Sequence, residues 1–408
     1  MKKLLELGKF YNSGFVKSKA DYINWPKYSY DLVLDEEIGA AHLTEQPPAS
    51  EMWGEYWYRS GINQTMRDAL KNIVDEICSR IKYKKGDIWL DIACNDGTMF
   101  KFIPSEFIKI GVDPADDTYL AESSKVADKV IQDYFSADIY AKAGYSQKAK
   151  VITCIAMFYD LQKPGDFIEE IKKILEDDGV FIIQLSYSPL MLQQMAYDNI
   201  GMEHYYYYSL NSLKKLFEKH GMVIVDANLN DVNGGSVRVY FQRKERNVTS
   251  FSTAPARAVY DYRIDSLITY ENTHADMTNL DSWKKFGDQI QKLKHETVSF
   301  IKAERAKGKI VGAYAASTKG NTMFQVYGLD ETLIDFIAER SPYKYGLVTV
   351  GSNIPIISED EARARKPDYL LMIAWPFVKE FVEREKEFLD RGGKFIIPCP
   401  EFQIIGKQ

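Results

Sequence analysis

The sequence predicts an α/β protein with a central doubly wound parallel sheet, a C-terminal Rossmann-like α/β domain and a small irregular N-terminal module. Two series of apolar, strand-like segments alternate with helical segments, one beginning near residue 86 and the other near residue 309. The length of 408 residues also exceeds that of one average domain. We therefore expect three parts, at 1–60, 61–250 and 251–408.

The central domain is predicted from the first alternating series. Residues 62–83 carry apolar side chains at helical spacing. Five strands follow, at 87–92, 108–113, 129–133, 149–154 and 179–185. Two further segments, 222–226 and 236–241, flank a turn and suggest a hairpin at the sheet edge.

The C-terminal part begins with a long helix between about 280 and 307. A strand at 309–314 follows, and Gly320 and Asn321 open a helix. Further strands are predicted at 333–337, 369–373 and 394–398. This second alternating series predicts a separate α/β unit.

Charge and hydropathy exclude several classes of partner. The formal net charge is −6 and the basic residues are scattered, whereas a nucleic-acid surface needs a positive stripe. No apolar run approaches the roughly 18 residues of a membrane span, and the first residues lack the apolar core of a signal peptide. We expect a cytoplasmic protein, monomeric or a small homo-oligomer, that binds neither nucleic acid nor membrane.

The four cysteines indicate a reducing compartment. Cys78, Cys94, Cys154 and Cys399 lie far apart and form no C-x-x-C pair. That spacing suits buried free thiols better than disulfides or zinc ligands. The sequence predicts no cysteine-based metal site.

The loop after the first strand suggests a cofactor. It contains one glycine, whereas a dinucleotide pyrophosphate needs several, and its carboxylates would repel phosphate. S-adenosylmethionine carries an ammonium and a sulfonium and no phosphate, so an acidic loop suits it. The residues predicted to bind it in this loop are Asp91, Ala93, Asn95, Asp96, Gly97 and Thr98.

The ends of the next strands add to this donor site. Asp113, after the second strand, is placed to hold ribose hydroxyls. Asp133, after the third strand, is placed near the adenine amino group; Tyr134, Ala156 and Met157 complete the predicted site. The alternative is that Asp96-Gly97 is merely a turn and Asp113 a helix cap.

Glu203 and His204 form a carboxylate–imidazole pair that suits proton transfer. Four consecutive tyrosines, 205–208, follow it, and Asn233 to Ser236 form a Gly-rich turn further on. The alternatives are a structural histidine bonded to a backbone carbonyl, tyrosines that pack a core while Ser209 caps a helix at 210–219, and a simple hairpin turn.

Several motifs together resemble the sugar C-methyltransferases that act on nucleotide-linked 4-keto-6-deoxyhexoses. The resemblance covers nearly the whole chain from about residue 30. The motifs are Tyr56-Trp57-Tyr58-Arg59-Ser60-Gly61, Asn95-Asp96-Gly97-Thr98, Glu203-His204 with Tyr207-Tyr208-Ser209, Gly234-Gly235-Ser236-Val237-Arg238-Val239, residues 312–322 and residues 392–398.

The resemblance implies a central class I methyltransferase-type domain, a C-terminal domain that helps enclose the sugar nucleotide, and a role in deoxysugar biosynthesis. The chain departs from the family at its N-terminus, where Asp35 and Ile38 stand in place of the second zinc cysteine pair and the upstream pair is missing. Zinc is therefore not expected. Met202, and residues 157–160, stand where similar sequences carry further histidines.

The chemistry implied is carbon methylation through an enolate. A ketone at C4 acidifies the hydrogen on C3, and His204 is the natural base because an imidazole titrates near neutral pH. Glu203 either orients His204 or is itself the base if burial raises its pKa. Tyr58 and Tyr207 are the predicted donors to the developing oxyanion.

Substrate binding is predicted at three places along the chain. The C-terminal loop leads into a helix whose N-terminus favours an anion, and Lys319 adds a positive charge suited to a diphosphate. The alternative is a solvated lysine beside a helix cap. The residues predicted to bind substrate are Tyr56, Arg59, Asn233, Ser236, Ser317, Lys319 and Asn321.

Two other functions compete with this one. The first keeps the same donor but methylates oxygen or nitrogen of a sugar or small metabolite. The second is an inactive protein that binds nucleotide sugars. Solvent deuterium entering C3 of a keto sugar without the donor separates the carbanion route from the other two.

Overall fold

The computed structural model describes residues 2–48, 51–52, 58–244 and 254–407. Tyr56 lies outside these residues. So does the side chain of Asn233, whose backbone belongs to a 3-10 turn, Val232–Gly234.

A seven-stranded sheet forms the central domain. Across the sheet the strands are Met222–Asn230, Ser236–Arg243, Leu175–Ser186, Ala149–Ile155, Ile88–Ile92, Ile108–Val112 and Lys129–Ile131. The five strands between residues 88 and 186 are parallel. The strands Met222–Asn230 and Ser236–Arg243 form an antiparallel hairpin at one edge of the sheet. This confirms the predicted doubly wound sheet.

Helices cover both faces of this sheet. Gln64–Arg80 packs on one face, and Pro164–Ile174 and Leu210–Lys219 pack on the other. Arg238, almost fully buried, ties the first of these helices to the sheet, since its Nη1 lies 2.8 Å from Glu76 Oε2. Shorter helices, Asp117–Ser123, Ala137–Lys142 and Ser188–Gln193, occupy connections.

A second helix precedes the predicted linker helix. The chain forms Ala254–His274 before Leu280–Ala306, and the first of these packs against the strand Met222–Asn230. Its apolar residues do not follow one stripe, so the periodicity that predicted the later helix is missing here. Glu271 is nevertheless buried and accepts hydrogen bonds from the backbone of Leu210 and Asn211.

The C-terminal domain contains a six-stranded sheet. Across the sheet the strands are Ile356–Ser358, Ile337–Glu339, Val311–Tyr314, Tyr369–Met372, Lys394–Ile397 and Gln403–Ile405. All pairs are parallel except the last, which is antiparallel. Its helices are Thr318–Tyr327, Glu359–Ala364, Val378–Arg384 and Lys386–Asp390.

One strand of this domain is displaced from its predicted position. The strand expected at 333–337 is found at Ile337–Glu339. Ile334 and Phe336 are fully buried in the connection that leads into it. Buried connecting residues and buried strand residues give the same apolar pattern, so the sequence could not place the boundary.

The N-terminal residues form strands where an irregular module was expected. They are Lys2–Leu5, Lys9–Tyr11, Phe15–Val16, Lys27–Ser29, Leu32–Asp35 and Ala40–Leu43, with a short helix at Lys19–Tyr22. Tyr206–Tyr207 of the central domain adds a strand to one of their sheets, and Val348–Thr349 of the C-terminal domain pairs with Phe15–Val16. The module therefore completes its sheets with strands from both other domains.

Asp35, which stands where a zinc cysteine would fall, is used for hydrogen bonds. Its carboxylate accepts from the backbone N–H groups of Glu37 and Ile38 and from the Tyr206 hydroxyl. Within the described ranges no group of three histidines, cysteines or acids is placed to hold a metal ion. No helix among the same residues is long and apolar enough to cross a membrane.

Candidate active site

The predicted donor loop lies at the switch point of the central sheet, between the carboxyl ends of Ile88–Ile92 and Ala149–Ile155. In such sheets ligands bind outside the carboxyl ends where the strand order reverses. Ala93 and Asn95 adopt positive φ angles of 61° and 53°. Gly97, at 73°, has no room for a side chain because a Cβ there would lie 2.7 Å from the Ser123 Cα.

Asp113 holds this loop in place. Its carboxylate accepts from the N–H of Asn95 at 2.7 Å and from the N–H of Ala115 at 2.8 Å. Burial raises the pKa of this carboxyl. Asp113 is therefore located at the carboxyl end of the second strand, as predicted for a ribose-binding acid.

Asp91 is the most perturbed acid of the loop. It is almost fully buried, and its Oδ1 accepts from the Thr153 hydroxyl at 2.6 Å. Burial raises its pKa to about 7, and Asp113 contributes in the same direction. A nearby cation would favour the ionised form of such a group.

A short segment, residues 58–61, lies across the donor loop. Asn95 accepts from the Ser60 N–H at 3.0 Å and donates to the Tyr58 carbonyl at 3.0 Å, while Asp96 accepts from the Gly61 N–H at 2.7 Å. These bonds place the predicted oxyanion donor Tyr58 beside the donor loop. Burial raises the pKa of the Tyr58 phenol to about 12, and Asp96 adds to the effect.

Arg59, predicted to bind substrate, contacts the helix Asp117–Ser123. Its guanidinium lies 4.0 Å from the ring centroid of Tyr119 and 2.8 Å from the Glu122 carboxylate, and it donates to Thr118 Oγ1 at 2.6 Å. Arg59 thus adjoins the donor side of the site in this structure. Its assignment to the substrate remains a prediction.

The other predicted donor residues lie at neighbouring strand ends. Asp133 and Tyr134 follow Lys129–Ile131 and are exposed. Ala156, with a φ of 56°, and Met157 follow Ala149–Ile155. These positions frame one edge of the sheet. The chemistry of the set, carboxylates without a lysine or arginine in the loop, fits a cationic donor better than a phosphate.

The Glu203–His204 pair lies at the same edge of the sheet. The His204 ring packs edge-on against Tyr159, with ring centroids 4.2 Å apart, and Tyr159 follows Met157 by two residues. His204 Nδ1 lies 2.8 Å from the carbonyl oxygen of Asn199. Because a carbonyl only accepts, Nδ1 carries the proton in the neutral ring and Nε2 is left unprotonated.

The two members of the pair are shifted in opposite directions. Burial and, second to it, the Lys319 ammonium lower the pKa of His204 to about 4, which is well below the near-neutral value expected from the sequence. Burial raises the pKa of Glu203 to about 7, against the opposing effect of Lys319. At neutral pH the imidazole is therefore uncharged and the carboxyl titrates.

Lys319 comes from the C-terminal domain and reaches this pair. Its ammonium donates to the Asn199 side-chain oxygen, and burial lowers its pKa while Asp198 and Glu203 raise it. The cleft beside these residues is also lined by Asn12, Ser13, Thr318 and Thr322. All three parts of the chain therefore meet at this cleft.

Tyr207 lines an adjoining cleft with His204 and Tyr159. Its hydroxyl accepts from the Gly201 N–H at 3.2 Å, which leaves its own proton to be donated. Burial raises its pKa, so the phenol stays protonated. Among the tyrosines after His204, Tyr208 is fully buried and stacks on Tyr206 with ring centroids 5.3 Å apart, and Ser209 caps the helix Leu210–Lys219.

Three further predicted substrate residues are engaged with the protein. Ser236 is buried and donates to the Val232 carbonyl at 2.8 Å. Ser317 caps the helix Thr318–Tyr327 by accepting from the Gly320 N–H at 3.0 Å. Asn321 donates to the Gly14 carbonyl at 2.9 Å, while its buried Oδ1 has no hydrogen-bond partner among the described residues.

Four other residues of the site were quoted in the sequence patterns but were not among the predicted site residues. Asn199 and Tyr159 contact His204, and Asp198 accepts from the Trp375 indole N–H at 3.3 Å. Asp160 has a raised pKa from burial and from Glu203, and its Oδ1 finds no hydrogen-bond partner in the described part of the chain. Except for the bond between Asn199 and His204, which are five residues apart, these contacts join distant segments, so no local motif indicates them.

Comparison with known proteins gives matches to both large domains. Residues 58–227 match a family model described as a methyltransferase domain, and residues 231–400 match one described as a C-methyltransferase C-terminal domain. C-methyltransferase NovU of Streptomyces niveus is 27% identical over 387 residues, which cover 93% of this chain and 88% of that protein.

Two solved structures are also similar to part of the chain. Magnesium protoporphyrin IX methyltransferase (ChlM) of Synechocystis PCC 6803, with bound SAH, is 11% identical, with 46% of this chain and 90% of that chain covered at a TM-score of 0.36. N-methyltransferase NodS of Bradyrhizobium japonicum WM9 is 11% identical, with 45% and 99% covered at a TM-score of 0.35.

The family matches agree with the order of the strands in the central sheet. They confirm both the family resemblance and the methyl donor inferred from the sequence. The chain is an S-adenosylmethionine-dependent methyltransferase, and its C-terminal domain is similar to that of C-methyltransferases.

Proposed function

We propose that the protein methylates a carbon atom, C3, of a nucleotide-linked 4-keto-6-deoxy sugar through an enolate. One observation carries the proposal. His204, with its Nδ1 bonded to a carbonyl, lies between Tyr159 on the donor side and Lys319 of the C-terminal domain. A base in that position serves a substrate held between the two domains.

The proton transfer follows from the tautomer of His204. Its unprotonated Nε2 takes the proton from C3, and the electrons of the C–H bond move toward the C4 carbonyl oxygen. Asn199 keeps its hydrogen bond to Nδ1–H throughout, so the ring does not reorient. The product of this step is an imidazolium beside an enolate.

Glu203 balances the charge that forms. With its pKa raised to about 7, it is ionised at slightly alkaline pH and then stabilises the new imidazolium. If the same carboxylate removed the proton itself, it would be a stronger base than an ordinary glutamate. The two roles predict different losses of turnover when Glu203 is replaced by glutamine.

Tyr207 is suited to the oxyanion. Its hydroxyl already accepts from Gly201, so its proton is directed to another acceptor. A preorganised phenol in a buried site stabilises developing negative charge strongly, and loss of one such donor costs about 10²–10³-fold in rate. Tyr58, which lies beside the donor loop, is less directly placed for this role.

The donor loop prepares the second half of the reaction. Bound S-adenosylmethionine supplies an electrophilic methyl carbon. Asp91, Asp96 and Asp113 provide the negative surroundings that a cation favours, and Gly97 lets the backbone approach closely. The nucleotide is assigned to the cleft against the C-terminal domain, where Lys319 as a diphosphate ligand remains a prediction.

The test is product analysis with a panel of nucleoside-diphosphate 4-keto-6-deoxyhexoses and S-adenosylmethionine labelled in its methyl group. We expect one labelled methyl on C3, located by mass spectrometry and NMR. Without the donor, we expect solvent deuterium to enter C3.

Each other result has a definite meaning. A labelled methyl on oxygen or nitrogen without deuterium exchange would replace carbon methylation by the heteroatom route. Binding of sugar nucleotides without any transfer would indicate an inactive binding protein. Either result would refute the proposal.

A further inference from the structure

Three consecutive residues of the central domain are each contacted by a different side chain of the C-terminal domain. They form the 3-10 turn Tyr197–Asn199. The Tyr197 ring stacks on Tyr327 with centroids 5.6 Å apart, Asp198 accepts from the Trp375 indole, and Asn199 accepts from the Lys319 ammonium. The turn is thus fixed by the neighbouring domain as well as by its own.

The same turn fixes the proposed base. The carbonyl of Asn199 accepts from His204 Nδ1 at 2.8 Å. The side chain of Asn199 accepts from Lys319. One residue therefore receives a bond from the C-terminal domain on its side chain and a bond from the imidazole on its backbone.

The charged residues around His204 indicate how the contact between Lys319 and Asn199 affects proton transfer. Asp198 and Glu203 line the same cleft as His204 and Lys319, and Lys319 is the cation that acts on Asp198, Glu203 and His204. Tyr159 and Tyr207 line the remaining sides. The ammonium disfavours a second positive charge beside it, so its removal would make the imidazolium, which has no free Nε2 lone pair, easier to form.

We propose that Lys319 and Asn199 are positioning residues through which the C-terminal domain sets the orientation and tautomer of His204. The inference rests on the proposed role of His204 as the base. It assigns to Lys319 a function in the catalytic centre that is separate from the predicted contact with the diphosphate. Catalysis then requires the C-terminal domain to contact the turn Tyr197–Asn199, because these contacts fix the turn that orients the base.

The first test needs no sugar substrate. The full chain is labelled with ¹⁵N-histidine, and the signals of His204 are identified by their loss in His204→Gln. We expect wild-type His204 to be the neutral Nδ1–H tautomer at pH 7. Observation of the Nε2–H tautomer would refute the inference while leaving methyl transfer to be measured separately.

The second test compares variants. Lys319→Met should raise the pKa of His204, broaden its tautomer signals and lower turnover about 10- to 100-fold, with S-adenosylmethionine affinity unchanged. Asn199→Ala, which keeps the backbone carbonyl but removes the acceptor for Lys319, should act in the same direction. Lys309→Met, on an exposed ion pair with Asp368, is the matched control.

Further variants separate positioning from folding. Trp375→Phe keeps an aromatic ring but removes the bond to Asp198, and should lower turnover less than Lys319→Met. Lys319→Arg keeps the charge and should recover part of the activity. Wild-type tautomer signals, pH profile and turnover in Lys319→Met would overturn the inference. If that variant does not fold, the same result in Asn199→Ala would overturn it.

Discussion

The central and C-terminal sheets have closely similar carboxyl ends. In each, the first strand of the series is followed by an alanine with positive φ, Ala93 at 61° and Ala315 at 72°. In each, the acid at the end of the neighbouring strand accepts from the backbone of that loop. Asp113 accepts from Asn95 at 2.7 Å, and Glu339 accepts from Ala316 at 2.8 Å.

The two loops differ in charge and in the helix that follows. The central loop carries acids and leads into a short 3-10 turn, Thr98–Lys101. The C-terminal loop carries no acid and leads into a ten-residue α-helix, Thr318–Tyr327, which contains Lys319 in its first turn and whose N-terminus favours negative charge. One backbone arrangement thus suits a cation in one domain and an anion in the other.

The largest effect is expected at the base, which belongs to neither loop. His204→Asn should lower turnover about 10³-fold, since a general base contributes roughly 10²–10⁴-fold. S-adenosylmethionine binding should change little. Steady-state kinetics and calorimetry measure the two quantities. His220→Asn, at a histidine paired with Glu169, is the matched control; near-normal turnover in His204→Asn would remove His204 from the base role.

The comparison of the two sheets predicts that a substitution in each sheet weakens the binding of a different ligand. Asp113→Asn should weaken S-adenosylmethionine binding about 10- to 100-fold, because hydrogen bonds to a charged group contribute about 1.5–3 kcal/mol. Glu339→Gln should instead weaken binding of a nucleoside diphosphate by a similar factor. Calorimetry with S-adenosylmethionine and with UDP, GDP and dTDP checks both. If both variants weaken the same ligand, the assignment of one ligand to each sheet is incorrect.

A smaller effect distinguishes the two members of the proton-transfer pair. Burial raises the pKa of Glu203 to about 7, so wild-type turnover should increase with pH through that value as the carboxyl ionises. Glu203→Gln should remove this rising limb and lower turnover about tenfold if His204 is the base. A loss of 10³-fold or more would identify Glu203 as the base. Glu218→Gln, at an exposed glutamate, is the control.

The sequence was sufficient for the features that depend on local pattern. Apolar segments in alternation with helices predicted both sheets, and the strand-end acids predicted the donor edge. The N-terminal strands were not predicted, since their partners include Tyr206–Tyr207 and Val348–Thr349, which are far away in sequence. The helix Ala254–His274 lacked the single apolar stripe that identifies a helix.

The candidate site likewise has features that local sequence predicts and features that it does not. Glu203 and His204 could be predicted as site residues because they are adjacent and lie beside aromatic residues. The contact of Lys319 with Asn199 joins residues 120 positions apart, so no spacing could indicate it. The pKa shifts of Glu203 and His204 were likewise beyond the sequence, because burial by all three parts of the chain causes them.

The smallest effect tests the acidic loop itself. Burial raises the pKa of Asp91 from 3.8 to about 7, so the folded protein without donor binds a proton there that the unfolded chain releases near pH 4. A cationic donor favours the carboxylate, and its binding must therefore release this proton below pH 7. The affinity for S-adenosylmethionine should increase about three- to tenfold between pH 6 and pH 8 and then level off. Asp91→Asn should lose this increase, whereas Asp138→Asn, on an exposed ion pair with Lys142, should retain it. An unchanged pH dependence of the affinity in Asp91→Asn would show that the ionisation of Asp91 is not coupled to donor binding. The difference in charge between the two sheets would then depend on Asp96 and Asp113.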